Sequence, residues 1–277
     1  MSQQSPVWLV TGASKGMGLE AVKAALKTGA RVAATSRDKT RLDGQLHAPE
    51  NRFLPLEMSF TDARDIERAV AHTVERFGQI DVLVNNAGYS LLGAVEEFSA
   101  QEVRANFDVN VFGLLAVTRA VLPTMRAQRS GQIINLASIS ANVTGTATGL
   151  YSATKAAVLM LSEALAQEVA PFGIGVTAVC PGGVRTDFLD PSSSRHPQRE
   201  IDDYTNVREA LASYGRLNHN QGGDPRRVAE VFVLLSRMEN PPTRLYLGRD
   251  ALGAIVAKAE SVMSDASRLS EISESID

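Results

Sequence analysis

An α/β fold with a doubly wound parallel sheet is what this sequence predicts, and three observations predict it. Short β-branched runs alternate with longer helical patterns along most of the chain. Several of these runs are apolar without a break, as strands buried on both faces must be. A glycine-rich turn directly follows the first run and opens the first helix. Alternation of this kind builds βαβ units with right-handed crossovers, which place helices on both faces of one sheet. A length of 277 residues is above the usual single-domain size but within the range of one α/β domain with a full core.

Each element follows in order. The strand VWLV (7–10) leads into a helical run from Met17 to Lys27 and then RVAAT (31–35). A short polar helix precedes RFLPLEM (52–58), and TDARDIERAVAHTVERFG (61–78) sets Ile66, Ala69, Val70 and Val74 on one face at helical spacing. IDVLVN (80–85), QIINLA (132–137) and GVTAVC (175–180) read as buried strands, with helices over 99–128 and 151–170 between them. Residues 187–223 are rich in Asp, Ser, Pro, Asn and Gly and too long for a plain connection. They predict a lid with a short helix over 201–213. Asp224 then caps a helix that has Pro225 at its first position, where a missing N–H is harmless. The tail over 264–277 is polar and is expected to fray.

Composition excludes several classes. With 44% hydrophobic and 21% charged residues, the chain reads as an ordinary globular protein. A net charge of −3 and a pI near 5.9 provide no basic field for a phosphate backbone, so no nucleic-acid partner is expected. Cys180 is the single cysteine and has no internal disulfide partner, which suits a reducing compartment. The opening MSQQSPVWLV lacks a basic segment and a long apolar core, and no unbroken apolar run reaches about 18 residues. A cytoplasmic protein with no membrane partner is expected. His47, His72, His196 and His219 are scattered and no HExxH or Cys/His cluster exists, so no catalytic metal is expected.

Two motifs carry chemistry. In TGASKGMG (11–18), Gly12, Gly16 and Gly18 permit a sharp turn and close approach of a ligand, and the helix N-terminus offers unpaired N–H groups to a pyrophosphate. A tight βα turn without a ligand would look similar. In LASISANVTGTATGLYSATK (136–155), Tyr151 and Lys155 are four apart and share a helix face. Ala153, Ala156, Ala157 and Met160 make the setting apolar, no acidic residue lies one turn from Lys155, and a buried lysine without a role is unusual. A phenol ionises near pH ~10. An ammonium ~4 Å away, at an effective dielectric of ~20, would favour the phenolate by at most ~4 kcal/mol, or ~3 pKa units. The expectation is a tyrosine brought close to neutrality that exchanges a proton with an alcohol or carbonyl oxygen. Ser138, at the C-terminal end of QIINLA, is placed to hydrogen-bond the same oxygen, at the sheet edge where open α/β folds bind ligands.

With NNAG (85–88), Asn110 in NVFG and PGGVRT (181–186) in the same order, the sequence resembles the short-chain dehydrogenase/reductase family over roughly residues 7–190. The resemblance is to its shorter branch and implies one NADP-binding Rossmann-type domain over 1–277. It implies that Asn110, Ser138, Tyr151 and Lys155 are catalytic. In that family the tyrosine is the acid/base, the serine orients the substrate oxygen, the lysine also holds the nicotinamide ribose, and the asparagine supports a water linking lysine to solvent. It further implies cofactor contacts from Gly12, Ser14, Lys15, Gly16, Met17 and Gly18. Asn86, Ala87 and Gly88 would lie beside the adenosine ribose, and Pro181, Val184 and Thr186 beside the nicotinamide. One departure is Ser59 in MSFTD, where many relatives have an acidic residue that binds adenine; the backbone of Phe60 remains available for that contact.

Cofactor choice follows from charge. NAD-dependent members usually end the second strand with an acid that bonds the ribose 2′-hydroxyl and would repel a 2′-phosphate. Here Ser36 stands at that place, Arg37 follows, and Lys15 adds a second cation, which together favour NADP(H). The expected function is an NADP(H)-dependent carbonyl reductase or alcohol dehydrogenase acting on a small-molecule carbonyl or alcohol. The alternatives are a non-catalytic dinucleotide sensor or scaffold, and an NAD-dependent or epimerase/dehydratase variant of the fold. Phe188, Tyr204, Tyr214, Leu91 and Leu92 suggest a partly apolar substrate, although core packing explains each equally well. The 151–170 helix and the long helix before it carry apolar residues on more than one side, which predicts a homodimer through them. PPTRLYLGRDALG departs from the glycine-rich ending that tetrameric relatives use for a second interface, which favours dimer over tetramer.

Overall fold

The computed structural model describes residues 5–46 and 48–276. The readings made for residues 1–4, His47 and Asp277 lie outside the described residues. The chain opens with β1 (Val7–Val10), α1 (Gly16–Lys27), β2 (Arg31–Ser36), α2 (Thr40–Asp43), β3 (Phe53–Glu57), α3 (Ala63–Phe77) and β4 (Val82–Asn85). It continues through β5 (Ser90–Leu91), α4 (Ala100–Phe107), α5 (Leu114–Gln128), β6 (Gly131–Leu136), α6 (Gly149–Val169) and β7 (Ile174–Pro181). It closes with β8 (Ser194–Arg195), α7 (Thr205–Leu217), α8 (Pro225–Leu235), β9 (Arg244–Leu247), α9 (Arg249–Arg268) and α10 (Ser270–Ser273).

Seven strands form one sheet in the order β3-β2-β1-β4-β6-β7-β9, and every pairing in it is parallel. Strand order reverses between β1 and β4, and that switch point leaves a crevice at the carboxyl ends of the strands. Alternation within each strand divides the core. Trp8, Val10, Val32, Val84 and Ile134 face α1 and α8, where Leu19, Val22, Val228 and Phe232 meet them. Val7, Leu9, Ala33, Leu83 and Ile133 face the other way, onto Ile66 and Val70 of α3 and Val117, Val121 and Met125 of α5. This is the doubly wound arrangement the sequence predicts.

Local chemistry sets the helix ends. Asp62 accepts from the Arg64 amide at 2.9 Å and starts α3, which ends at Gly78 with φ +81°. Asp224 likewise accepts from the Arg226 amide at 2.9 Å, with Pro225 at the first position of α8. Ser99 and Glu102 form a reciprocal capping box on α4.

Four expectations are corrected. The helix expected over 99–128 is interrupted by a π-helical turn at Asp108–Gly113. That extra residue per turn lets Asn110 point inward and bond the backbone of Tyr89, a use of π-turns common at functional sites. The whole 100–128 stretch is long and apolar enough to cross a membrane by composition, yet Val117, Val121 and Met125 are wholly buried in the core. The helix expected over 201–213 is α7, shifted to Thr205–Leu217. The edge strand β9 went unread, because RLYL is short and its place beside β7 is a tertiary fact. The tail expected to fray is helical in its described residues, which extend α9 and form α10. Its polar composition hid an apolar repeat at helical spacing.

Candidate active site

The cleft at the switch point has a volume of about 700 Å³. Its floor begins with the glycine turn. Gly12 and Gly16 adopt φ +63° and +56°, a region that strains other residues. A Cβ on Gly12 would come within 2.8 Å of the Ala87 Cα, so this turn and the NNAG turn pack backbone to backbone. Gly18 is buried beneath them: a Cβ there would strike the Asn86 side-chain nitrogen and the Gly12 carbonyl. Asn86 is in turn anchored, donating to the Thr11 and Gly12 carbonyls at 3.0 and 2.9 Å. Thr11 accepts from the Asn86 amide at 3.0 Å and is a supporting residue the sequence reading missed.

Of the residues expected at the cofactor, Gly12, Ser14, Lys15, Gly16, Met17, Ser36, Arg37, Asn86, Ala87, Gly88, Tyr151, Lys155, Pro181, Val184 and Thr186 all line this cleft. Gly18 does not; it packs below the turn. The buried Thr35 hydroxyl lines the cleft at the end of β2 and has no hydrogen-bond partner among the described residues. An orphaned hydroxyl beside a backbone cradle fits a ligand with ribose and phosphate oxygens. Ser36 is buried there, Arg37 is exposed beside it, and Lys15 reaches the other rim, donating to Ser192 at 2.6 Å. Partial burial lowers the Lys15 pKa, which Asp187 and Asp190 oppose. Ser59 lines the cleft with Phe60 and Thr61; its hydroxyl bonds Thr61 at 2.9 Å, and its amide donates to Asp65 at 3.2 Å.

Ser138, Tyr151 and Lys155 converge on the cleft from β6 and α6, and all three are buried. Tyr151 bonds Ser138 and packs against Phe188 of the 187–223 segment, ring centres 5.6 Å apart. Asn110 is behind them and does not line the cleft. Its carboxamide accepts from the Tyr89 amide at 3.0 Å and donates to the Tyr89 carbonyl at 2.9 Å and to Thr154 at 3.1 Å. A Cβ on Gly88 would meet Asn110 Oδ1 at 3.1 Å and Lys155 Nζ at 3.6 Å, so the three share one small space.

The expected electrostatics of the tyrosine are corrected. Lys155 Nζ lies 5.8 Å from the Tyr151 ring centre and donates to the Leu136 carbonyl at 2.6 Å. Burial raises the Tyr151 pKa well above the ordinary phenol value, and the Ser138 hydrogen bond only partly offsets it. Burial also pushes the Lys155 ammonium down to about 8 and the Cys180 thiol up to about 11. A full charge on lysine close to the phenol would lower the phenol's pKa, but the cost of withdrawing both groups from water is larger.

The 187–223 segment roofs the cleft. Phe188, Leu189, Ser192, Ser193, Arg195, Tyr214, Leu217 and Gln221 line it, as does Leu92; Tyr204 and Leu91 do not. β8 pairs with β5, and Gly223 exchanges backbone bonds with Gly183 and Arg185 at 2.9 Å, so both ends of the roof are tied down. Asp250, at the start of α9, accepts from the Gly183 amide at 2.7 Å and supports the loop of Pro181 and Val184. No sequence signal marked it. At the rim of this segment, His219 Nε2 is 3.3 Å from Asp190 and 4.0 Å from Asp187.

A family model described as short chain dehydrogenase matches residues 6–197. The oxidoreductase BOA17 of Botryotinia fuckeliana is 34% identical, over 93% of this chain and 94% of that one. A short-chain dehydrogenase from Streptomyces avermitilis superposes with a TM-score of 0.89 at 36% identity, covering 99% of this chain and 100% of that one. An actinorhodin polyketide ketoreductase solved with NADPH is 30% identical with a TM-score of 0.75, covering 89% and 97%. Fold, cleft and comparisons agree: the chain belongs to the short-chain dehydrogenase family and is an oxidoreductase of that family.

Proposed function

We propose that the protein is an NADP(H)-dependent oxidoreductase of the carbonyl reductase/alcohol dehydrogenase type, with Tyr151 as the acid/base. The observation that carries this reading is one cleft holding both the glycine cradle with Arg37 at its rim and the buried Ser138, Tyr151 and Lys155. NADP(H), when bound, supplies or accepts the hydride. The chain's own residues handle the rest. Ser138 and Tyr151 present two hydroxyls to one substrate oxygen. With its pKa raised, Tyr151 holds its proton at neutral pH and is suited to donating it as a carbonyl is reduced. Lys155, held by Leu136 and backed by Asn110, is placed to bind the nicotinamide ribose and to bring charge near the phenol.

Arg37 and Lys15, with no acid at Ser36, support NADP(H) over NAD(H), and Arg37 is the residue we assign to the 2′-phosphate. The roof over 187–223 is proposed as a substrate lid, and its Phe188 and Leu189 favour a partly apolar carbonyl. Phe112, Met160 and Leu161 stand exposed on the helices around α5 and α6 and support a homodimer through that face. A cytoplasmic location accords with the lone, buried Cys180. The test is oxidation of NADPH and NADH against ketones, aldehydes and steroid-like or aromatic carbonyls. Turnover preferring NADPH is expected; cofactor binding with no turnover on any of them would instead favour a dinucleotide sensor.

A further inference from the structure

Helix α9 is 20 residues long, yet Ala251 is its only buried residue. Apart from the half-buried Ile255, its large apolar side chains stand in water: Leu252 is 57% exposed, Val256 50%, Val262 52%, Met263 69% and Leu269, just past its end, 37%. A helix packed only at its base is marginal in water, so a stripe of this kind calls for a partner. The stripe has a pattern. Leu252, Ile255, Ala259, Val262, Ala266 and Leu269 recur at alternating intervals of three and four residues, the spacing of a two-stranded helical seam.

We propose that the C-terminal arm, residues 249–276, pairs antiparallel with the same arm of a second copy about a two-fold axis. One register satisfies every position. It sets Leu252 against Leu269 of the partner subunit, Ile255 against the partner's Ala266, and Ala259 against the partner's Val262. The same register brings Val256 against the partner's Met263 on one flank and Lys258 against the partner's Asp265 on the other. Two-fold symmetry makes each of these contacts occur twice. Lys258 has no acidic partner among the described residues, and Asp265 holds only the neighbouring Arg268 at 3.0 Å. A parallel pairing would instead place Lys258 toward the partner's Met263 and lose the charge match. Apolar and charged positions that complement themselves in a single register identify the occupant as a second copy of this chain.

The arm is distinct from the α5 and α6 face, so the two contacts act independently. With both formed about perpendicular two-fold axes the assembly closes at four chains, and loss of the arm contact halves it. The dimer favoured from the departed C-terminal ending is thereby extended: that ending carries a contact of a different kind.

The experiment is sedimentation of the full chain at micromolar concentration, comparing wild type with Val262→Asp, Lys258→Glu, Asp265→Lys and the double exchange Lys258→Glu/Asp265→Lys. Val262→Asp should halve the mass while leaving helical circular dichroism and NADPH turnover unchanged. Each single charge reversal should weaken assembly at least about threefold, and the double exchange should restore it. A Val262→Asp protein with wild-type mass would overturn the proposal. So would a double exchange as weak as the single reversals, because docking on any other surface gives no reciprocal rescue. If the α5 and α6 contact is absent, the wild type has two chains and Val262→Asp one, and the arm is tested equally well.

Discussion

Lys155 donates its ammonium to the Leu136 carbonyl at 2.6 Å, so the residue expected to activate Tyr151 is anchored to the end of β6. Burial of both groups leaves a phenol that keeps its proton and pushes the lysine down to about 8.

Tyr151→Phe removes the donated proton and little volume. Turnover should fall by at least about a hundredfold while NADPH binding persists. Substantial residual turnover would remove Tyr151 from the acid/base role.

The lysine makes stability depend on pH. Its folded pKa, about 8, lies below the ordinary 10.5, so between those values the unfolded chain binds more protons than the folded one. Stability from this group therefore rises as pH climbs from 8 toward 10.5, and below 8 its full desolvation cost remains. Lys155→Met also loses the Leu136 bond, which shifts its melting temperature by an amount independent of pH. The melting temperature of wild type minus that of Lys155→Met should thus increase between pH 7 and pH 9.5. A difference flat with pH would place the lysine in water.

Arg37 sets the cofactor prediction. Loss of a charge-assisted contact to the 2′-phosphate should cost about 1.5–3 kcal/mol, more than tenfold in NADPH affinity, with NADH little changed. Ser36→Asp should go further, repelling NADPH and offering NADH a hydroxyl acceptor. Paired titrations of wild type, Arg37→Ala and Ser36→Asp with both cofactors measure this. An Arg37→Ala protein with undiminished preference for NADPH would return Arg37 to the surface.

Gly18 should be needed without touching the cofactor. A Cβ there enters the space of the Asn86 side chain and the Gly12 carbonyl. Gly18→Ala should lower stability by about 1–3 kcal/mol and weaken both NADPH and NADH, whereas charge changes at Arg37 discriminate between them. Denaturant unfolding and the same titrations separate the two effects.

For the α5 and α6 face, Met160→Arg places a charge where an apolar contact is proposed, on a residue 53% exposed. The protein should stay folded and lose one level of assembly by light scattering. An unchanged mass would exclude that face.

The sequence by itself determined the parallel sheet, both chemical turns and the order of the site residues. Those features rest on local rules: unbroken apolar runs for buried strands, Gly12 and Gly16 where φ is positive, Asp224 as a cap, and Tyr151 one helical turn from Lys155. Tertiary structure decided the rest. Thr11, Thr35 and Asp250 matter because distant segments meet there, and nothing beside them in the chain announces it. Asn110 faces inward only because a π-turn rotates it toward Tyr89. The protonation of Tyr151 was misjudged because burial depends on what the lid and core exclude, while sequence spacing reports only which groups are near. The C-terminal arm combines both cases: polar residues dilute its apolar repeat in the sequence, and only a fold that leaves α9 uncovered reveals that the repeat has no partner among the described residues.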